Sequence, residues 1–385
     1  MEISAAELIE RARALAPLLA THAAEAEQAR RPHDAVITAL REARIFDLMV
    51  PRAHGGLELD LDTFLEVGLA LAEGDASMAW VSTFYIEHNW ILCQFPEAFQ
   101  NELYASRSHV LAPASLAPDG VAERVAGGFR LNGRWKWGTG LPHAEWVICG
   151  GQAKDSEGRP EHRFFALPID EVKVEDTWWV DGMCATGSGD LRVENRVVPE
   201  ERTVGIAELS TGKAHGARLH DGALYRTPMV PILILAASMP AVGQARAALA
   251  RFKSDAGERM LFARNLRQAD QPAAQMRLAE AEIQLDRTER LLAQITGEIM
   301  DRRDAASAQE RAGWAARAAV AVRESRTILR SIADASGASA HFRDHPLQRA
   351  VRDVQTLSGH AIFDLEQRLE SYGRVLLGLE PQGLF

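Results

Sequence analysis

The apolar positions change period twice along the chain. From residue 1 to about 110 they recur at helical spacing: Leu8, Ala12, Leu15 and Leu19 fall on one face, with Glu10, Arg11 and Arg13 on the other. Pro32-His33-Asp34 is a start signal for a second helix that turns Val36, Leu40 and Ala43 inward. Pro51 and Gly55-Gly56 read as a loop, and Asp62 to Ala72 and Ser77 to Cys93 as two buried helices. From 111 to about 205 the period shortens. Alternating runs at Val147–Cys149, His162–Leu167, Val172–Asp176 and Leu191–Val198, punctuated by Gly, Pro and Asn, predict strands of a small antiparallel barrel or sandwich. Residues 206 to 225 form a polar, Gly-rich connection. Beyond Met229 the helical period returns. Leu278, Ala281, Leu285, Leu292, Ile295 and Ile299 keep it, and several such segments up to Tyr372 predict an antiparallel four-helix bundle. The expected architecture is mainly α with a central β domain: helices over 1–110, strands over 111–205, and a helical bundle over 206–385.

One stretch of the β region stands out. Asn132-Gly133 lies between Phe129 and Leu131 on one side and Trp135 and Trp137 on the other, a two-residue hairpin signal. The second strand of that hairpin would show Trp135 and Trp137 on one face, Arg134 and Lys136 on the other. It runs directly into Gly138-Thr139-Gly140, where backbone can approach a ligand and a hydroxyl is held between glycines. Two indoles and a hydroxyl suit a flat aromatic cofactor; a half-buried hairpin of packed tryptophans explains them equally well.

Composition narrows the classes. The 385 residues allow two or three domains or one multi-layer unit, and 47% apolar content supports a large core. A net charge of −10 with no basic tract argues against nucleic acid or an anionic membrane as partner. Cys93, Cys149 and Cys184 are scattered without metal spacing and read as free thiols of a reducing compartment. The acidic, polar start carries no signal-peptide pattern. The longest apolar run, Met229 to Pro240, is interrupted by prolines and falls short of the roughly 20 residues of a membrane span. A cytoplasmic protein is expected.

Candidate chemistry falls in two clusters. Trp80, Phe84 and His88 share one helix face at i, i+4 and i+8, beside Glu87 and Asn89. They make either an aromatic-walled substrate pocket with a polar contact or a core histidine satisfied by a neighbour. Ser115 lies in a proline-flanked loop. Met183-Cys-Ala-Thr-Gly-Ser-Gly-Asp190 is rich in small residues, but Gly187 and Gly189 lack the βαβ setting of a dinucleotide fingerprint, and Ser188 lacks a nucleophile elbow. The second cluster holds His341, Asp344, His345, Arg352, Asp353 and His360. Pro346 would break any helix carrying the first three as metal ligands, so no metal is expected. Arg352-Asp353 reads as a structural ion pair.

Trp137-Gly-Thr139 followed by Gly140 and Ala144-Glu-Trp146 resembles the flavin-binding strand of the acyl-CoA dehydrogenase superfamily. Pro346-Leu-Gln-Arg349 followed by Arg352-Asp353 and His360 is similar to one branch of it, the oxygenase components of two-component flavin monooxygenases. That branch includes hydroxylases of 4-hydroxyphenylacetate and of secosteroid phenols. The resemblance spans nearly the whole chain and implies the helix–strand–helix order of that fold, with tetramers formed through the last bundle. It implies that Trp137 flanks the isoalloxazine, that Thr139 and Gly140 hold it near N5, and that Ser115 faces flavin and substrate. It also implies that His88 meets a substrate phenol, within walls built by Trp80 and Phe84, and that His360 lies beside the flavin, where it could act as base toward the phenol.

Two departures separate oxygenase from dehydrogenase. The positions where the dehydrogenases carry their carboxylate base are Asp344, one methylene short, and Ile232. Arg251-Phe-Lys-Ser-Asp-Ala-Gly257 does not preserve the Arg-x-x-Phe-Gly grip on the FAD pyrophosphate. The expectation is therefore an oxygenase component that takes FMNH₂ or FADH₂ from a separate flavin reductase. It would react the flavin with O₂ to a C4a-hydroperoxide and hydroxylate a small aromatic, phenolic substrate. The alternatives are an acyl-CoA dehydrogenase using Asp344, oxidation of a sulfur or nitrogen heteroatom, or a non-catalytic scaffold on the same fold.

Overall fold

The computed structural model describes residues 3–155, 157–261 and 265–383. Helices come first: α1 (Ala5–Ala29), α2 (Asp34–Glu42), α3 (Leu61–Gly74), α4 (Ala76–Leu92) and α5 (Glu97–Tyr104). Side chains cap the N-termini of α1, α2 and α4. Ser4 Oγ takes the Glu7 N–H, His33 Nδ1 the Ala35 N–H, and an Asp75 carboxylate oxygen the Met78 N–H. Every residue of α4 is buried, so it is a central helix with no solvent face.

The strands are β1 (Ala114–Val125), β2 (Gly128–Trp135), β3 (Trp146–Lys154), β4 (Pro160–Pro168), β5 (Lys173–Glu175), β6 (Asp190–Pro199) and β7 (Thr203–Gly205). They form one sheet in the order β5-β6-β2-β1-β3-β4-β7. It is not wholly antiparallel. The chain leaves β2, loops through residues 136–145 and returns on the far edge of β1 in the same direction, so β1 and β3 pair in parallel. The sheet also curls. Phe129 on β2 and Phe165 on β4 are three strands apart, about 14 Å in a flat sheet, yet their ring centroids lie 5.6 Å apart. That curl encloses a second core of Phe129, Leu131, Trp135, Val147, Phe165 and Leu191, while Ile148, Phe164 and Ala166 face the helices. The edge strands β5 and β7 do not pair with each other, so among the described residues the sheet stays open.

The expected hairpin turn at Asn132-Gly133 is not a turn. The β1–β2 connection is Ala126-Gly127, with Val125 opposite Gly128. Asn132-Gly133 lies inside β2, where its register against β6 slips between Leu131 and Gly133. Asn132 Oδ1 accepts the Asn195 N–H at 2.7 Å. A Cβ on Gly133 would stand 2.6 Å from the Trp135 ring. The glycine makes room for an indole, and the bulge uses the same residue pair that a turn would.

Past β7 the expected loop contains two short helices, α6 (Ile206–Ser210) and α7 (Gly216–Leu219). Then follow α8 (Met229–Glu258), α9 (Pro272–Arg302), α10 (Ala308–Ser336), α11 (Pro346–Leu357) and α12 (Leu365–Leu376). The prolines do not interrupt α8. Pro231 sits in its first turn, where no N–H is needed. The bond lost at Pro240, worth about 3 kcal/mol, is outweighed by the burial of most of the helix. By length and composition α8 could cross a membrane, but 89% of its most apolar window is buried, and it packs on α3, α4, α9 and α10.

Candidate active site

Strand β2 ends at Trp135, and the two tryptophans part there. The Trp135 indole is fully buried, its N–H bonded to Gly150 O at 2.6 Å. Trp137 takes a left-handed φ of +66°, which swings its indole out, 60% exposed. They do not share a face as the alternating pattern suggested, because the strand stops between them. The strap that follows is pinned to the small-residue loop. Gly138 N–H donates to Gly189 O at 2.9 Å and Gly140 N–H to Thr186 O at 2.8 Å. Gly140 has φ +83°, and a Cβ there would lie 2.5 Å from the Tyr85 hydroxyl, which itself donates to Gly140 O.

A chain of hydroxyls ends on Thr139. Thr186 Oγ1 donates to Met183 O at 2.8 Å, and its oxygen lies 2.7 Å from Ser188 Oγ. With the Thr186 proton committed, Ser188 donates to Thr186. Thr139 Oγ1, 3.3 Å from Ser188 Oγ, then holds the least committed proton. Thr139 also accepts the Trp80 indole N–H at 3.2 Å. An exposed indole beside a buried, oriented hydroxyl, on a strap with no room for a side chain at Gly140, fits a flavin ring. The residues that would hold it are Trp137, Thr139 and Gly140. Ser115 joins them indirectly, its Oγ donating to Lys136 O at 3.0 Å.

Helix α4 supplies the neighbouring wall. Trp80 stacks on Phe84 with centroids 4.6 Å apart, and Phe84 meets His88 edge-on at 5.5 Å. His360, which caps the short turn before α12, packs at 5.6 Å from Trp80 and 6.5 Å from Phe84. The structure thus brings His360 of the second cluster to the first, although it lies 272 residues after His88 in the chain.

Their tautomers differ. His88 Nδ1 lies 2.7 Å from Ala112 O, which can only accept, so Nδ1 carries the proton and Nε2 presents a lone pair. His360 Nδ1 accepts the Ile362 N–H at 3.2 Å, so its neutral ring presents Nε2–H. Burial pushes the His88 pKa down to about 4. The protein around His360, and the Arg368 charge, lower it as well.

Other candidates fall elsewhere. Asp344 is exposed, beside His345, which itself faces Arg251 and Asp255 at the end of α8. Ile232 is fully buried in α8. Pro346 starts α11 and His345 caps it, so His341, Asp344 and His345 do not converge. The group of metal-ligating residue types that does come together among the described residues is His22, Glu25 and His33. Arg352 and Asp353 do not pair with each other: Arg352 meets Glu27 at 2.5 Å, while Asp353 takes the Met183 N–H at 2.6 Å. Sequence reasoning missed the anchoring roles of Tyr85, Thr186 and Ser188. Ser188 reaches Thr139 from 49 residues away, and no local pattern signals such a contact.

The chain can now be set beside known proteins. Residues 235–365 match the family model described as acyl-CoA dehydrogenase, C-terminal domain. The oxygenase subunit HsaA of a flavin-dependent monooxygenase from Mycobacterium tuberculosis is 32% identical over 95% of this chain and 94% of that protein. The FADH(2)-dependent resorcinol hydroxylase, oxygenase component, from a Rhizobium species is 29% identical over 98% of this chain and 96% of its own. Among solved structures, XiaF from a Streptomyces species in complex with FADH2 and glycerol superposes with a TM-score of 0.91 at 29% identity, covering 98% of this chain and 97% of that one. The chain therefore belongs to the oxygenase components of flavin-dependent monooxygenases built on the acyl-CoA dehydrogenase fold.

Proposed function

We propose that this protein hydroxylates a small phenolic compound, using reduced FMN or FAD delivered by a separate reductase. When bound, the reduced flavin and O₂ supply the oxygen atom that is transferred. The chain's own residues do the rest. Trp137, Thr139 and Gly140 hold the flavin, Ser115 braces the strap, and Trp80 and Phe84 wall the substrate. His88 offers the lone pair that takes up the phenol's proton, and His360 offers an N–H donor. The expectation that His360 serves as base thus gives way to the opposite division, because His360 spends its Nδ1 lone pair on the Ile362 amide. Residues 1–110 and 206–385 would enclose the β domain of 111–205, and the bundle would carry a homotetramer in the cytoplasm.

The observation that carries this reading is the joining of Trp80, Phe84, His88 and His360 in one wall tied to Thr139. It supports an aromatic substrate wall with an acceptor and a donor near the strap, while Asp344 is exposed elsewhere and Ile232 carries no carboxylate. The test mixes protein, reduced flavin, oxygen and a panel of phenols, and counts hydroxylated product per flavin oxidised. Near-stoichiometric product supports the reading. Tight oxidised FAD that an acyl-CoA bleaches anaerobically would overturn it.

A further inference from the structure

Glu87 shares the stripe of α4 that carries the aromatic wall, following Trp80 by seven residues and Phe84 by three. Its side chain is fully buried, and neither carboxyl oxygen has a hydrogen-bond partner. A buried acid left in that condition is uncommon, and it is tolerated where a ligand completes it. Its Oε2 stands 3.3 Å from His88 Nε2. Because Ala112 O fixes the His88 proton on Nδ1, Nε2 and a carboxylate oxygen would oppose two lone pairs at that distance. A proton between them turns the opposition into attraction. Burial favours keeping it on the acid, which leaves both groups uncharged. Desolvation indeed pushes the Glu87 carboxyl well above its usual range.

We propose that Glu87 meets the substrate hydroxyl and relays its proton to His88. The step rests on the phenol-hydroxylase reading above. The substrate O–H bond breaks and its proton passes to Glu87 Oε1, while the proton on Oε2 passes to His88 Nε2. The carboxyl is neutral before and after, the substrate becomes its oxyanion, and the imidazole becomes imidazolium. Nothing is oxidised or reduced. The cost of charging a histidine in this site is offset by the phenolate formed across the same carboxyl. A substrate ring in the oxyanion form is the more electron-rich one, which hydroxylation requires.

Glu87→Gln separates relay from packing. The amide keeps the shape, donates to His88 Nε2 and accepts from a hydroxyl, but cannot pass a proton on. The probe is 4-nitrophenol, added to flavin-free protein at a pH below the probe's own ionisation, with phenolate absorbance as the readout. The unmodified protein is expected to bind the probe as phenolate. Glu87→Gln should bind it about as tightly but as the neutral phenol, and should lose roughly 10²-fold in the hydroxylation rate. A bound probe that ionises equally in Glu87→Gln overturns the relay, and so does complete loss of binding in a folded variant. Infrared spectroscopy of the unmodified protein gives a reading that no folding defect can spoil. A protonated-carboxyl band that persists well above the ionisation of Asp75 and Asp353, and shifts when a phenol binds, supports the relay; its absence refutes it. Failure of the proposed function looks different: no phenol binds at all, and an acyl-CoA reduces the flavin.

Discussion

The Trp80 indole N–H donates to the Thr139 hydroxyl at 3.2 Å, tying the central helix to the strap that ends β2. Both residues are nearly closed to solvent, so neither group can turn to water if the other is lost. The same hydroxyl continues the chain through Ser188 and Thr186 to the backbone of Met183.

Thr139→Val should therefore cost about 1–2 kcal/mol, the usual penalty for an orphaned buried donor. Urea unfolding would show it as a lower midpoint with an unchanged slope. The variant should also bind reduced flavin more weakly, with Thr139→Ser recovering both properties. If valine binds reduced flavin as the parent does, Thr139 serves the fold alone.

Gly140→Ala tests the strap more severely. The alanine would sit at φ +83°, and its Cβ would press within 2.5 Å of the Tyr85 hydroxyl. The left-handed backbone alone costs about 1 kcal/mol, and the contact forces either Tyr85 or the strap to move. We expect a loss of roughly 2–3 kcal/mol in thermal or urea unfolding and reduced flavin affinity. An alanine variant that keeps parental stability and flavin affinity would show that the close approach is not needed.

Much of this was legible in the sequence. The helical period of Leu8 to Leu19 and of Leu278 to Ile299 located α1 and α9, and four of the strands were read from alternation. Trp80, Phe84 and His88 were placed on one face because helical spacing is a local rule. Tertiary packing decided the rest. Asn132-Gly133 carries a turn signal, but Trp135 needs the space at Gly133. Pro240 carries a stop signal, but α8 is buried on nearly every side. Trp135 and Trp137 alternate, yet a left-handed residue undoes the alternation. The two histidine tautomers follow from Ala112 O and the Ile362 amide, partners that residue type alone does not reveal.

The division of labour between the histidines can be measured. His88→Ala removes the acceptor, so phenol binding should weaken and hydroxylation should fall by about 10²–10⁴. His360→Ala removes only an N–H donor, worth about 1–3 kcal/mol, or roughly 10–10² in rate. Bound 4-nitrophenol should still ionise in it, while more of the oxygen consumed appears as hydrogen peroxide. His360→Gln, which keeps an N–H, should recover part of the coupling. If the probe stays neutral in His360→Ala and ionises in His88→Ala, the roles are reversed.

The loop behind the strap has its own pH sensitivity. Asp353 holds the Met183 N–H at 2.6 Å and lies 3.4 Å from Ser77 Oγ, while Asp75 caps α4 and lies 3.7 Å from the Arg349 guanidinium. Glu27 from α1 and Arg352 from α11 also face this cluster. Burial pushes Asp353 up to about 7, with the Asp75 charge adding to it, and burial likewise pushes Asp75 up to about 6. An unfolded aspartate titrates near 3.9. Between about pH 4 and pH 7 the folded protein thus keeps protons that the unfolded chain has released, so this pair's contribution to stability falls as pH rises through that window. Other groups, the buried histidines among them, act in the opposite direction, so the pair shows most clearly in a difference. Asp353→Asn keeps an oxygen for the Met183 N–H but cannot ionise. Relative to the parent it should gain about 1–3 kcal/mol between pH 5 and pH 8, most of it below pH 7. Urea midpoints of the two proteins across that range measure it. A difference independent of pH would mean that Asp353 is already ionised at pH 5, and that the guanidinium groups of Arg349 and Arg352 outweigh its burial.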